Sequence, residues 1–253
     1  MKPLITQNLI PGEKHFRWRG GEITRLEAFT DAVFAFAVTL LVVSLEVPKN
    51  FSELATAMKG FVAFAICFAI LVQVWYQHYV FSRRYCLQTF YTVFLNSILL
   101  FVVLFYVYPL KFLFSLVVGG LSGGVLATQP LGRSIQSSQV PLLMVIYSLG
   151  FSAVATVFWL LYHYAYGLRK ELDLNEYESL RTRHEGYHQL AMVALGLIVS
   201  TTAMLLPTNL AGLAGYLYGL IGVYYWVAET IYGKKERLAL ERVQARSGVS
   251  AHA

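Results

Sequence analysis

Six long apolar segments occupy most of this sequence and decide what it can fold into. A helix needs about 20 mostly apolar residues to cross the hydrocarbon core of a bilayer. Because 57% of the residues are hydrophobic and only 13% are charged, we predict an all-α membrane protein with six transmembrane helices. The stretches between the segments are too short for a separate soluble domain. The predicted spans are residues 26–47, 55–81, 90–118, 138–166, 187–207 and 210–232.

The distribution of lysine and arginine predicts how these spans are oriented. Basic loops stay on the cytoplasmic side of a membrane, and the basic residues concentrate in the N-terminal arm, two alternate loops and the tail. We therefore predict that both termini are cytoplasmic, with an N-terminal arm (1–21), a transmembrane domain (22–233) and a C-terminal tail (234–253). A basic surface facing membrane lipid accounts for the net charge of +6, so no nucleic acid partner is predicted.

Local signals mark several helix ends. Thr24 with Glu27 three residues later has the spacing of a capping box at the start of the first span. Pro109 is expected to kink or end the third span, because proline removes a helix hydrogen bond. Asp173 or Asn175 could cap a short cytoplasmic helix between the fourth and fifth spans.

An arginine and an acid lie six residues apart where the first span begins. An ionised aspartate in hydrocarbon is costly unless it has a partner, so Asp31 is expected to face the bundle interior or a water path. Arg25 is the nearest opposite charge, while His78 and Asn96 lie at similar depth in the second and third spans. These four residues could form one polar network, although His78 alone equally fits a histidine that faces lipid headgroups.

The first span also carries a stripe of large apolar side chains. At about 100° per residue, Phe36, Leu40 and Val43 fall on one side of the helix, with Thr39 beside them. Periodicity alone favours ordinary packing of this stripe against lipid or the protein core. It does not by itself indicate a functional surface.

Patterns typical of enzymes are weak. His184 and His188 have i, i+4 spacing, but the sequence lacks the HExxH order, so a solvated pair is favoured over a metal site. There is also no nucleophile elbow, no phosphate-binding glycine loop and no zinc-type cysteine pattern. Cys67 and Cys86 lie far apart and are interpreted as core residues. We predict a protein that is not an enzyme and holds no metal.

The start of the first span resembles a known signature. The stretch Arg25-x-x-x-Phe29-Thr30-Asp31 resembles the RxxxFSD motif that opens the first helix in the transmembrane protein 175 family of potassium channels. Thr30 stands where the family has serine, and the hydroxyl is kept. The resemblance extends over most of the chain, to the six spans and to these residues of the first three: Thr39, Trp75, His78 and Asn96.

This resemblance implies a function. It implies a potassium-permeable, leak-type channel in the cell membrane: a homotetramer whose pore is lined by the first helices, with potassium as the permeant ion and no cofactor. Matching from Asp31 places Phe36, where the family has isoleucine or leucine, at the first constriction, followed by Thr39 or Leu40 and then Val43. The motif residues, with Trp75, His78 and Asn96, would brace that helix.

The resemblance also implies how such a pore selects ions. The sequence has no TVGYG-like segment, so a carbonyl selectivity filter is not expected. An apolar constriction can instead close a pore by dewetting. The alternative function is a proton-coupled secondary transporter with Asp31, His78 or Glu229 as the proton carrier, but the sequence shows neither inverted repeats nor paired broken helices.

Overall fold

The computed structural model describes residues 15–43, 48–128 and 135–247, and within these ranges the regular structure is entirely helical. The predicted all-α class is confirmed. The seven α-helices of these ranges are α1 (Arg25–Val43), α2 (Phe51–Lys59), α3 (Phe61–Tyr85), α4 (Phe90–Leu121), α5 (Val140–Gly167), α6 (Glu176–Leu205) and α7 (Leu220–Ser247), and 3₁₀ segments cover Ser137–Gln139 and Ala211–Gly219.

Five helical stretches within the described ranges are long and apolar enough to cross a membrane, which makes this a multi-pass membrane protein. They correspond to the second to sixth predicted spans. The five stretches are Phe61–Tyr85, Phe90–Leu121, Ser137–Gly167, Glu176–Leu205 and Ala211–Ala245. Helix α1 has 19 residues and is not among the five. The end of the first predicted span, 44–47, lies outside the described residues, so six spans remain a prediction.

The second span begins later than the sequence predicted. Residues Phe51–Lys59 form the separate helix α2, whose start is capped by Asn50, with the side chain accepting a hydrogen bond from Glu53 N. Gly60 then ends α2 and precedes α3. None of the residues of α2 is buried, so this short amphipathic helix lies on the surface and the apolar span itself starts at Phe61.

Helices α4 and α6 also run further than expected. Helix α4 continues through Pro109 to Leu121, and α5 supports it there because the Tyr147 hydroxyl donates to the Pro109 carbonyl. Asn175 caps α6, and the helix runs without a break to Leu205 instead of forming a short separate element.

Close packing of α5 against α6 depends on a glycine. A Cβ atom at Gly196 would lie 2.1 Å from Ser152 Oγ and 2.9 Å from the Ser148 carbonyl oxygen. The two helices therefore approach through a small residue, as is common in membrane bundles.

Helix α1 packs on the main hydrophobic core through Phe34 and Leu41. One face of α1 is thus fixed by the bundle.

Candidate functional site

The start of α1 is fixed by the predicted capping box, which is confirmed. Glu27 N donates to Thr24 Oγ1 at 3.1 Å, and Thr24 N donates to Glu27 Oε2 at 2.8 Å. The Glu27 side chain is buried, and its Oε1 lies 3.8 Å from Arg83 Nε at the end of α3. The carboxylate therefore accepts a hydrogen bond from the backbone at the start of α1 and also connects this helix end to α3.

Thr30 joins α1 to α4. Its side chain is fully buried; the hydroxyl donates to the Leu26 carbonyl at 2.8 Å and accepts from Asn96 Nδ2 at 2.7 Å. Asn96 is buried as well. A direct hydrogen bond between two buried side chains favours one rotation of α1 relative to α4, because turning the helix would break it and leave the buried Asn96 Nδ2 without this acceptor.

Asp31 joins α1 to α3. Its Oδ1 accepts a hydrogen bond of 2.7 Å from the indole Nε1 of Trp75. The Trp75 ring stacks on Tyr79, with 5.7 Å between ring centroids, so the indole is itself held in place. The acid thus has a neutral donor as its partner, where the sequence suggested an arginine.

The predicted four-residue network is therefore assembled differently. Arg25 is exposed and has no carboxylate within 4.0 Å in the described part of the chain. The separation of six helical positions places Arg25 and Asp31 on different sides of α1. His78 is 4% exposed, so the interpretation as a headgroup-facing histidine is wrong. It lines a cavity of about 10 Å³ together with Asn96, Thr24 and Glu27.

The other side of α1 is left open in the single chain. Its buried positions recur at helical spacing: Glu27, Thr30, Phe34, Ala37 and Leu41. The exposed face contains Ala28, Ala32, Ala35, Phe36 and Thr39. Phe36 is 55% exposed, whereas Leu40 is partly buried against the core. Phe36 and Thr39 therefore share the exposed face and Leu40 turns inward; the side chain of Val43 lies outside the described residues.

Removing the Asn96 amide is expected to loosen α1. In Asn96→Leu, Thr30 loses its donor from α4, and we expect the free energy of unfolding to fall by about 1–2 kcal/mol. Faster amide hydrogen exchange along α1 should accompany this loss. The matched control is Ser97→Ala, because Ser97 is exposed and its hydroxyl bonds only within α4, to Val93. Equal exchange in both variants would contradict the role of Asn96.

A second anchor, for which no sequence signal exists, lies just before α1. Glu178 has a fully buried side chain, and its carboxylate accepts from the backbone N of Arg17 at 2.8 Å and from Arg17 Nε at 3.0 Å. Arg19 Nη2 donates to Glu178 Oε2 at 2.8 Å. The hydrogen bonds to Glu178 raise the pKa of Arg17 above its ordinary value. The arm that leads into α1 is thus held on the start of α6.

The prediction that His184 and His188 form a solvated pair is wrong. His184 and His188 are 1% and 3% exposed, because α7 continues as a helix and covers them. His184 stacks on Tyr232 at 4.1 Å between ring centroids, and its Nδ1 lies 2.8 Å from Glu236 Oε1.

Glu229, a proton carrier in the alternative function, has its Oε1 3.7 Å from Arg181 Nη1. In the described ranges, no group of three His, Cys, Asp or Glu residues could hold a metal ion.

Comparison with known proteins identifies the family. The family described as endosomal/lysosomal potassium channel TMEM175 matches residues 25–106, from the start of α1 into α4. A potassium channel of Marivirga tractuosa is 40% identical over 243 residues, which cover 94% of this chain and 98% of that protein. The chain belongs to the TMEM175 family of potassium channels. A potassium channel of Chamaesiphon minutus matches more locally, with 36% identity over 66 residues, 23% of this chain and 32% of that protein.

A solved TMEM175 structure has the same fold. A crystal structure of the potassium channel MtTMEM175, a variant in complex with a nanobody–MBP fusion protein, superposes with a TM-score of 0.77. The two are 39% identical, and the match covers 89% of this chain and 99% of that one. Membership in a family of potassium channels confirms that the protein is not an enzyme. It also disfavours the proton-coupled transporter.

Proposed function

We propose that this TMEM175 member is a leak-type, potassium-permeable channel of the cell membrane, in which four copies surround one pore lined by α1. The observation that carries the proposal is the division of α1 into two faces. One face is bonded to α3 and α4 through Asp31 and Thr30. The other, with Phe36 and Thr39, is exposed in the single chain.

The constriction in this proposal is formed by side chains of that open face. Phe36 would form an apolar ring, with Thr39 one turn further along the helix. Leu40 is the weaker candidate, because it packs partly against the core. Val43 stays in the proposal from the resemblance alone. An apolar ring of this kind passes potassium by diameter and partial dehydration, without a carbonyl filter.

The bracing residues have an indirect role in this proposal. Asp31, Trp75, Thr30 and Asn96 fix the rotation of α1, so that Phe36 points at the pore axis. His78 lines the same small cavity as Asn96 and would help to hold it in place. Arg25 and Phe29 are exposed in the single chain and would contact the neighbouring subunit. None of these residues needs to touch the ion.

Reconstitution into liposomes tests the proposal directly. Purified protein in vesicles with an outward potassium gradient should generate a membrane potential that a voltage-sensitive dye reports, and single-channel currents should be ohmic. Chemical cross-linking in detergent should give a ladder that stops at four subunits. Flux that saturates with potassium and requires a proton gradient would instead support the transporter and refute the pore.

A further inference from the structure

Three pairs of a cation and a tyrosine lie at the end of the bundle that carries the arginine-rich loops. They belong to three different elements, the end of α5, the start of α6 and the middle of α7. In each pair the cation stands over the ring, a favourable arrangement. The pairs are Arg169 on Tyr166, Arg183 on Tyr187 and Lys235 on Tyr232, with 4.8, 5.3 and 5.5 Å from cation to ring centroid.

The packing of α6 against α5 and α7 places these pairs on one surface. Arg183 Nε and Nη2 donate to the Tyr187 hydroxyl at 3.1 and 2.8 Å, which fixes the guanidinium beside the ring. Arg183 is exposed. Its neighbour His184 stacks on Tyr232 with 4.1 Å between ring centroids, and Gly186, next to Tyr187, lies against Tyr162, one helical turn before Tyr166. The remaining guanidinium donors of Arg183 are free to bind a ligand from outside. We call the three pairs the tyrosine–cation surface.

The tyrosine–cation surface coincides with the boundary of the apolar segments. By hydropathy alone, the predicted spans end at 166, begin at 187 and end at 232. In that prediction each tyrosine is the terminal residue of a span, and each paired cation lies three or four residues outside it. Tyrosine is typical of the membrane–water interface, where lipid headgroups lie.

The cations of this surface differ from the other arginines at the same end. Arg19, Arg84 and Arg181 each lie within 4.0 Å of a carboxylate, at Glu178, Glu185 and Glu236 respectively. Within the described ranges, Arg169, Arg183 and Lys235 have no carboxylate that close. Arg169 Nη1 donates to the Tyr166 carbonyl at 3.2 Å and Arg183 Nη2 to the Tyr187 hydroxyl. These partners are uncharged, so the surface keeps its positive charge.

We propose that the tyrosine–cation surface binds the phosphate headgroup of anionic phospholipids. A basic residue beside a membrane increases affinity for anionic lipid about fivefold, and the tyrosines place three such residues at the depth of the phosphates. Placing this surface in the cytoplasmic leaflet would rest on the orientation predicted from the basic loops. The binding itself does not.

Native mass spectrometry of the detergent-purified protein tests this proposal. We expect phosphatidylglycerol to remain bound in preference to phosphatidylcholine. Removing two cations in Arg183→Gln/Lys235→Gln should weaken phosphatidylglycerol binding about 25-fold. The matched control is Lys49→Gln/Lys59→Gln, which removes two exposed charges from the other end of the bundle. Equal loss in both variants, or no loss in the first, would overturn the proposal.

Two further measurements distinguish lipid binding from the binding of soluble anions. Both are independent of ion conduction. Arg183→Lys keeps the charge and should retain the preference for phosphatidylglycerol; its loss there would overturn an electrostatic headgroup site. Inorganic phosphate at millimolar concentration should not displace the lipid, and displacement would indicate a site for soluble anions. Because binding is read without ion flux, a negative result here leaves the channel proposal standing, and a non-conducting protein can still give a positive one.

Discussion

Replacing Phe36 with asparagine is expected to increase potassium flux and to reduce the preference for potassium over sodium. Phe36 is exposed on the face of α1 that no other described element covers. In the proposed pore, its ring repels water, and an amide would keep the constriction wet. A barrier lowered by about 1.4 kcal/mol speeds crossing about tenfold, so we expect a change of at least that size in proteoliposomes.

The control for this experiment is Phe101→Asn. Phe101 is also an exposed phenylalanine of an apolar helix, but it belongs to α4 and lies outside the proposed pore. We expect its flux and ion preference to match those of the unchanged protein. If Phe36→Asn leaves both quantities unaltered, or if the two variants behave alike, Phe36 does not line the constriction and the exposed face of α1 faces lipid instead.

Replacing Glu178 with alanine is expected to destabilise the protein strongly. The buried carboxylate accepts hydrogen bonds from Arg17 and Arg19 and also from the backbone N of Asn175. Its removal leaves two partly buried guanidinium groups without that partner. Arg17 is 40% exposed and keeps its ion pair with Asp173, so we expect the loss of the hydrogen bonds to this charged group to cost about 1.5–3 kcal/mol. Thermal unfolding in detergent, followed by circular dichroism, should show the loss.

Glu176 provides the matched control for that experiment. It lies two residues earlier in α6, and its ion pair with Arg242 at 3.0 Å is exposed, with side-chain exposures of 38% and 64%. An exposed pair contributes about 0–1 kcal/mol, so Glu176→Ala should unfold close to the temperature of the unchanged protein. A Glu178→Ala protein that unfolds at the same temperature as Glu176→Ala would show that the N-terminal arm is not anchored through this carboxylate.

The start of α1 could be predicted from the sequence because its signals are local. Thr24 and Glu27 are three residues apart, and a capping box involves only that spacing, so the structure shows the predicted bonds. The RxxxF[ST]D pattern likewise lies within one stretch of chain, and it led to the family that the comparisons identify. In both cases the decisive residues are neighbours in sequence.

The partners of these residues could not be predicted in the same way. The sequence placed Asp31, His78 and Asn96 at similar depth, but depth does not fix which side chains face each other. In the structure Asp31 bonds to Trp75, and Asn96 bonds to Thr30. Arg25 is turned away by the helical rotation between positions 25 and 31. Pairings of this kind depend on how α3 and α4 rotate against α1.

The histidines of α6 show the same limit. Their i, i+4 spacing placed His184 and His188 on one helix face, but hydropathy ended the last span at 232, which left that face open to water. Helix α7 instead continues to Ser247, and Tyr232 and Glu236 cover the pair. A polar helix extension carries no apolar signal, so only its packing shows where it lies.

The sequence by itself determined that this chain is a helical membrane protein and indicated its family, because span length, apolar content and a short motif are properties of contiguous residues. The tertiary structure decided which face of α1 is bonded to the bundle and which is left open, with Phe36 and Thr39 exposed and Leu40 turned inward. That choice depends on contacts between helices that are distant in sequence, among them the hydrogen bond between Thr30 and Asn96.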